Sequence, residues 1–153
     1  MMQLTKKDLN KTLYAHPDDL VKKQPRYVVD ANGLTLWRLA TVIADYLLGK
    51  NQAYYCDWAN TGWFVVVSNV SKIQVTGSKL QEKKYYRFSG YEGNLRTKTL
   101  AELNKADPTK ALRFAVRGML PKNTLRDRRM KKLKLFAQQV HKYDISKMTV
   151  ISC

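Results

Sequence analysis

Apolar and polar residues follow two periods along this chain, one typical of strands and one of helices. The β-branched run RYVVDA (26–31) predicts a short strand. The almost continuously apolar run WFVVVSN (63–69) predicts a strand covered on both faces. Between them, residues 33–50 place apolar side chains at helical spacing, with Thr35 as the N-cap and Gly49 just beyond the last turn. The order strand, helix, strand favours an α/β fold around a small central sheet.

The middle of the chain carries shorter signals. SKIQVTGSK (71–79) predicts a further strand over residues 73–76 that ends at the turn residue Gly77. KKYYRFSG (83–90) alternates as an edge strand does, and GYEGN (90–94) is a loop with two glycines.

Helix-start signals dominate the part of the chain that follows. TLAE (99–102) has the spacing of a capping box. Asp107-Pro108 predicts an N-cap followed by proline at the first helical position, opening a helix that runs to about Met119. A short helix over 124–133 and a short strand over 132–136 complete the predicted elements.

The chain has 153 residues, 44% of them hydrophobic, which is enough for one compact domain with a buried core. We expect an extended N-terminal arm over 1–25, a single α/β domain over 26–137 and a C-terminal tail over 138–153. The two cysteines, Cys56 and Cys153, do not form a disulfide framework and favour a reducing compartment.

The charge of the chain limits its partners. It carries 28 basic and 12 acidic residues, a net charge of +16, which favours nucleic acid, an anionic membrane surface or an acidic protein as partner. Membrane insertion is not expected because no apolar run approaches the length of a spanning helix.

The most basic stretch is AVRGMLPKNTLRDRRMKKLKLF (115–136), whose one acid is Asp127. Apolar residues are interleaved with its cations, and we expect Met130 and Leu133 to anchor it to the core. The hypothesis is an RNA-binding surface, and the alternative is a solvated basic helix face. Its candidate phosphate-binding residues are Arg117, Lys122, Arg126, Arg128, Arg129, Lys131, Lys132 and Lys134.

Two smaller basic groups extend the hypothesis. Gly90 and Gly93 could allow a close backbone approach to phosphate, and Tyr85, Tyr86 and Tyr91 could either stack on bases or pack within the protein. The cations around this loop are Lys72, Lys79, Lys83, Lys84, Arg87 and Arg96. A third group contains Arg38 and Lys50, although Lys50 could merely complement the helix dipole. An RNA-binding arm could carry Lys6, Lys7, Lys11, Lys22 and Lys23.

Enzyme chemistry finds little support. Gly33 stands alone where a dinucleotide-binding turn needs three glycines, and the two histidines, His16 and His141, are far apart and have no metal-binding motif. We therefore expect no catalytic residue, cofactor, metal or small-molecule substrate. Asp30 and Asp57 flank strands and could meet in space, which leaves a metal-dependent nuclease open.

Five stretches occur together in the order of one known family. The chain resembles the large-subunit ribosomal protein L-thirteen family, of bacterial type, over residues 12–137. The stretches are YVVDANGLTLWRLA (27–40), LLGK (47–50), NVSKIQVTGSK (69–79), YYRFSGYEG (85–93) and AVRGMLPKNTLRDRRMKKLKLF (115–136).

The resemblance implies a three-layer α/β/α fold with a small, mainly parallel four-stranded sheet. It also implies a structural constituent of the large ribosomal subunit that binds its RNA early in assembly and contacts neighbouring large-subunit proteins. No catalysis or cofactor is implied. The expected location is the cytoplasmic ribosome, ahead of an organellar one. A nucleic-acid-acting enzyme and a free RNA-binding regulator are the alternatives.

The chain departs from the family pattern in four places. Trp37 stands where the family usually has glycine, and Asn60 and Trp63 replace acids in YCDWANTGW (55–63). NTLRD (123–127) replaces a glycine-containing turn, and a histidine-rich stretch beyond residue 137 is missing, so no role is assigned to residues 138–153.

Overall fold

A parallel four-stranded sheet forms the centre of the computed structural model, which describes residues 26–52, 55–139, 143 and 148–151. In chain order the elements are β1 (Arg26–Asp30), α1 (Leu36–Leu48), β2 (Phe64–Ser68), a 3-10 turn (Val70–Lys72), α2 (Lys79–Glu82), β3 (Lys84–Phe88), β4 (Leu95–Thr99), α3 (Leu100–Ala106), α4 (Pro108–Met119), α5 (Leu125–Lys131), β5 (Leu133–Leu135) and β6 (Thr149–Val150). The strand order is β5-β2-β1-β6, and all neighbours are parallel. The α/β class and the four-stranded parallel sheet are confirmed.

The two central strands carry the core of the sheet. Val29 of β1 pairs with Val67 of β2, and both side chains are fully buried. Two residues earlier on β2, Val65 pairs with Leu133 of β5, which is also buried. Parallel strands that are buried on both faces have nearly continuous apolar sequences, which is why the sequence WFVVVSN predicted a strand.

Helix α1 packs its apolar stripe into this core as its spacing predicts. The stripe includes Leu39, Ile43 and Leu47, each at most 1% exposed. Thr35 stands at the N-cap with extended backbone, and Gly49 ends the helix in the left-handed conformation, φ 82°. A left-handed residue at this position favours glycine, so both boundaries are confirmed.

The predicted strand over 73–76 is wrong. This segment forms one isolated bridge to the start of α1. The Gln74 N–H donates to Leu34 O at 2.9 Å, and the Gln74 carbonyl accepts the Leu36 N–H at 3.0 Å. The pairing cannot extend because the segment that Gln74 pairs with becomes helical at Leu36. Ile73 and Val75 supply the apolar signal by packing against the core from the loop.

A separate antiparallel hairpin joins β3 to β4. Strand β3 was predicted as an edge strand, and the glycine loop at 90–94 links it to its partner. Strand β4, LRTKT, was not predicted because it is polar and largely exposed, so its sequence has no apolar alternation.

The helix starts after the hairpin are confirmed. The Thr99 and Glu102 side chains each accept the other's backbone N–H, closing the capping box of α3. Asp107 caps α4 by accepting the Thr109 N–H at 3.0 Å, and the helix ends at Met119 before Pro121. Helix α5 and strand β5 lie within the predicted ranges 124–133 and 132–136.

The two ends of the chain are only partly described. The predicted arm over 1–25, with its lysines, and His141 lie outside the described residues. Within the stretch expected to be a tail, Thr149 and Val150 form β6 and pair with Tyr27 and Val28 of β1. A two-residue strand carries too little pattern to be found in sequence.

Candidate nucleic-acid interface

The basic segment folds into α5 and β5, which sort its cations onto different faces. Arg128, Lys131 and Lys134 are exposed, whereas Arg129 is 1% exposed and Lys132 is 7% exposed. Met130 packs against the core at half burial and Leu133 is buried within it, as predicted for the anchors. The segment is therefore part of the folded domain and also a source of surface charge.

The two buried cations hold the loop that leads into β2, which we call loop 57–62. Arg129 Nη2 donates to the carbonyls of Asp57 and Ala59, at 3.4 Å each. Lys132 Nζ donates to Gly62 O at 2.7 Å and to Asn60 O at 3.3 Å.

Here the structure differs from the sequence-based expectation for Arg129 and Lys132. Both cations were predicted to face RNA phosphates, and both are instead turned inward onto backbone carbonyls. A signal was present in the sequence, because Leu125, Arg129 and Lys132 are spaced for one helix face, and apolar neighbours mark that face as inward.

Burial has a direct electrostatic effect at Lys132. Desolvation, and secondarily the positive charge of Arg129, lowers the pKa of the Lys132 amine from 10.5 to about 8. The unfolded chain keeps this proton up to about pH 10.5, whereas the folded chain releases it from about pH 8. Between these two pH values the unfolded state binds more protons, so the contribution of Lys132 to stability rises with pH.

Because the contribution of Lys132 to stability rises with pH, the stability difference between the wild-type protein and Lys132→Met should depend on pH. The free energy of unfolding of the wild type, minus that of the variant, should increase by about 2 kcal/mol from pH 7.5 to 9.5. Urea unfolding of both proteins at several pH values measures it. The subtraction removes every titration that the two chains share, and a difference that stays flat across this range would contradict the lowered pKa.

The exposed cations of the segment lie beside a cation that sequence reasoning missed. Arg113 of α4 lines a shallow groove of about 390 Å³ together with Lys131 and Lys134. Asp127 lies on the same groove and makes an exposed ion pair with Arg117 at 3.8 Å. Such pairs contribute little energy in water, so Arg117 remains available to another anion.

Two further cations of the segment lie where the chain passes from α4 to α5. Lys122 is exposed after Pro121, whereas Arg126 in the first turn of α5 is half-buried. The altered turn NTLRD itself contains one cation and one acid, so the exposed positive charge at this point comes from Lys122.

The second basic group is centred on the hairpin. Arg87 of β3 lies directly opposite Arg96 of β4, and both are exposed. Lys84 lies on the other hairpin face with Tyr86, and Lys83 precedes the hairpin, exposed. The structure therefore brings Arg87 and Arg96 together as predicted neighbours.

The remaining candidates are more scattered. Lys79 lies over the Trp37 ring, with Nζ 4.7 Å from the ring centroid, while Trp37 itself packs half-buried against the core. Lys50 lies 3.7 Å from Asp45 across an exposed pair, an arrangement that suits a helix-end cation. Arg38 and Lys72 are exposed on α1 and on the 3-10 turn.

The acids considered for nuclease chemistry have partners within the protein. Asp30 Oδ1 accepts the Asn32 N–H at 3.1 Å and the Asn69 side-chain amide at 2.8 Å. Asp57 accepts the Tyr55 hydroxyl, a bond that is the main reason the pKa of Tyr55 is raised. In the described part of the chain no group of three or more His, Cys, Asp or Glu residues could hold a metal.

The departure at Trp63 has a structural explanation. The Trp63 ring lies 4.3 Å from that of Tyr27 and 6.2 Å from that of Tyr46, measured between centroids. Its backbone N–H donates to Tyr46 O at 3.2 Å. Trp63 therefore joins an aromatic cluster between β1, α1 and loop 57–62, where an acid could not pack in the same way. Of the helices that the structure describes, none has the length and apolarity to cross a membrane.

Comparison with known proteins gives consistent matches. The model of the family described as ribosomal protein L13 matches residues 24–142. This range contains the whole basic segment and the hairpin.

Individual relatives match this chain over most of their own length. A protein from Stenotrophomonas maltophilia is 48% identical over 115 residues, which are 75% of this chain and 81% of that protein. One from Oleidesulfovibrio alaskensis is 47% identical over 131 residues, covering 86% and 90% of the two chains. One from Aquifex aeolicus is 44% identical over 137 residues, covering 90% and 94%. All three are named large ribosomal subunit protein uL13.

Proposed function

Because the chain belongs to the ribosomal protein L13 family, whose members are structural ribosomal proteins and not enzymes, we propose that it binds large-subunit ribosomal RNA as a structural constituent of that subunit. Its location is then the ribosome, and we propose the cytoplasmic one. Its role is to neutralise phosphate charge and to match the shape of folded RNA.

The exposed cations of α5 and β5 are the main support for this proposal. Arg128, Lys131 and Lys134 are exposed on rigid elements, and Arg113 adds a cation from the neighbouring helix. RNA binding releases the counterions condensed on phosphates, which drives association and makes it depend on salt. A positive surface held on a folded scaffold loses less conformational entropy on binding than a disordered basic tail does.

The buried cations have a different part in the same function. Arg129 and Lys132 fix loop 57–62 against α5, so that the loop, the helix and β2 keep one arrangement. We propose that they position the interface without touching RNA, which removes them from the phosphate-binding set.

Other parts of the chain fit the same role. The hairpin exposes Tyr86, Phe88 and Leu95 on one face, an apolar surface of the kind that neighbouring large-subunit proteins could cover. We propose that residues 26–137 are the RNA-binding domain, that 1–25 are an arm, and that 138–153 are a tail whose Thr149 and Val150 return to the sheet as β6. We also propose that binding occurs early in assembly.

The test is the salt dependence of binding to large-subunit RNA. Replacing Arg128, Lys131 and Lys134 together with glutamine should lower affinity on the order of tenfold or more at physiological salt. It should also reduce the slope of log K against log salt by about three, one for each lost phosphate contact. Filter binding over a salt series measures both quantities.

A charge-preserving variant controls for changes in side-chain shape. Arg128→Lys with Lys131→Arg and Lys134→Arg keeps all three charges, so its slope should match that of the wild type. If the glutamine variant also keeps the wild-type slope, these residues are not at the interface and the proposal loses its main support.

A further inference from the structure

A concave surface lies between the hairpin and helices α3 and α4. We call it the hairpin groove, and its volume is about 470 Å³, which falls in the range of small-molecule sites in proteins. It is lined by Tyr85, Tyr86, Arg87, Ser89, Asn94, Arg96, Lys98, Leu103, Lys110 and Phe114.

The groove is strongly positive. Four of its ten lining residues are cations, and none of those described residues is an acid. Arg87 and Arg96 face each other directly across the strands, a like-charge pair that destabilises a hairpin unless an anion lies between them. Lys98 lies opposite Tyr85 in the same register, and Lys110 is 3.6 Å from Asp107 in an exposed pair. The charge arrangement therefore favours an anionic occupant.

The groove also contains an aromatic platform. The rings of Tyr85 and Phe114 are 5.6 Å apart between centroids and inclined by 31°, and Tyr85 is packed against the core. Phe114 is 43% exposed on the polar side of α4, where its neighbour Arg113 is also exposed. An exposed ring supported from behind and bordered by cations has the features of a surface on which bases stack.

We propose that the hairpin groove receives an unpaired RNA nucleotide, with its base stacked on Phe114 and its phosphates bound by Arg87 and Arg96. This inference rests on the proposed RNA-binding function and adds the kind of RNA that is bound. A paired base is stacked in its own helix and cannot enter a concave site, whereas a bulged or single-stranded nucleotide can. An acidic peptide would use the cations but would leave the aromatic platform without a partner.

The experiment compares two RNA probes, single-stranded oligouridylate and a fully paired, blunt-ended RNA duplex of the same length. Phe114→Leu keeps an apolar side chain but removes the ring, and it should weaken oligouridylate binding by about tenfold while leaving duplex binding unchanged. Phe88→Leu is the matched control, because Phe88 is an exposed ring of the hairpin that does not line the groove, and it should leave both affinities unchanged. Arg87→Gln with Arg96→Gln should reduce the salt slope for single-stranded oligouridylate by about 1.4, roughly 0.7 for each lost phosphate contact.

The possible outcomes separate the two proposals. If the wild type binds large-subunit RNA but Phe114→Leu binds oligouridylate as the wild type does, the hairpin groove is not a nucleotide site and the proposed function stands. If Phe114→Leu lost affinity for oligouridylate and for the duplex equally, the inference would also be overturned, since stacking on an unpaired base cannot affect binding of a duplex. If the wild type binds no RNA at all, both proposals fail.

Discussion

Gly62→Ala is expected to destabilise the protein by roughly 4 kcal/mol or more, a large part of the stability of a typical domain. A Cβ at Gly62 would lie 1.6 Å from the carbonyl oxygen of Leu47 and 2.5 Å from its carbonyl carbon. Both atoms belong to the backbone of α1, which cannot swing aside as a side chain can. The end of loop 57–62 therefore approaches the helix at a distance that only glycine permits.

The neighbouring hydrogen bonds prevent the loop from moving away instead. Thr61 Oγ1 donates to Leu48 O at 3.1 Å, and the Trp63 N–H donates to Tyr46 O at 3.2 Å. Lys132 holds the Gly62 carbonyl from the other side. Relief of the clash would cost these bonds together, and the buried groups left without partners would each add to the loss.

Gly118→Ala is the matched control because the substitution is the same and the surroundings are open. A Cβ at Gly118 would meet nothing within 4 Å, and the residue lies in α4. Alanine should stabilise this helix position by about 0.5–1 kcal/mol relative to glycine. Urea unfolding of both variants measures the two effects, and a Gly62→Ala protein as stable as the wild type would show that loop 57–62 is not tightly packed against α1.

Sequence patterns predicted the elements whose signals are local. The capping box at Thr99, the Asp107-Pro108 helix start and the Gly49 helix end each depend on a few adjacent residues, and each is found as predicted. Elements that depend on a distant partner were missed or misplaced. Strand β4 is polar, and β6 has two residues that pair only because β1 offers a free edge.

In the candidate site, too, features set by local sequence were predicted and features set by distant contacts were not. Composition indicated which segments are basic, since charge is read directly from the sequence. It could not indicate which cations lie at the surface, because that depends on the position of loop 57–62 relative to α5, about 70 residues apart in the chain. Nor could it place Arg113, Lys98 or Phe114 beside the predicted cations, because their elements meet only in the folded protein.

Two adjacent arginines test whether the surface and the buried cations have separate roles. Arg129→Met should lower the free energy of unfolding by about 3 kcal/mol, because it leaves the carbonyls of Asp57 and Ala59 without this donor and replaces the largest fully buried side chain among the described residues. Arg128→Met should leave stability within about 0.5 kcal/mol of the wild type, because Arg128 is exposed.

In binding to large-subunit RNA, Arg128→Met should have the larger effect and Arg129→Met the smaller one. Arg128→Met should reduce the salt slope by about one, as expected for a lost phosphate contact. Arg129→Met, measured where the variant is still folded, should keep the wild-type slope because its guanidinium never reached the phosphates. A reduced slope for Arg129→Met would place that residue at the RNA surface, contrary to its burial. An unchanged unfolding energy would mean that the cost of desolvating a buried guanidinium offsets its hydrogen bonds, so that Arg129 fixes the geometry of loop 57–62 and contributes no net stability.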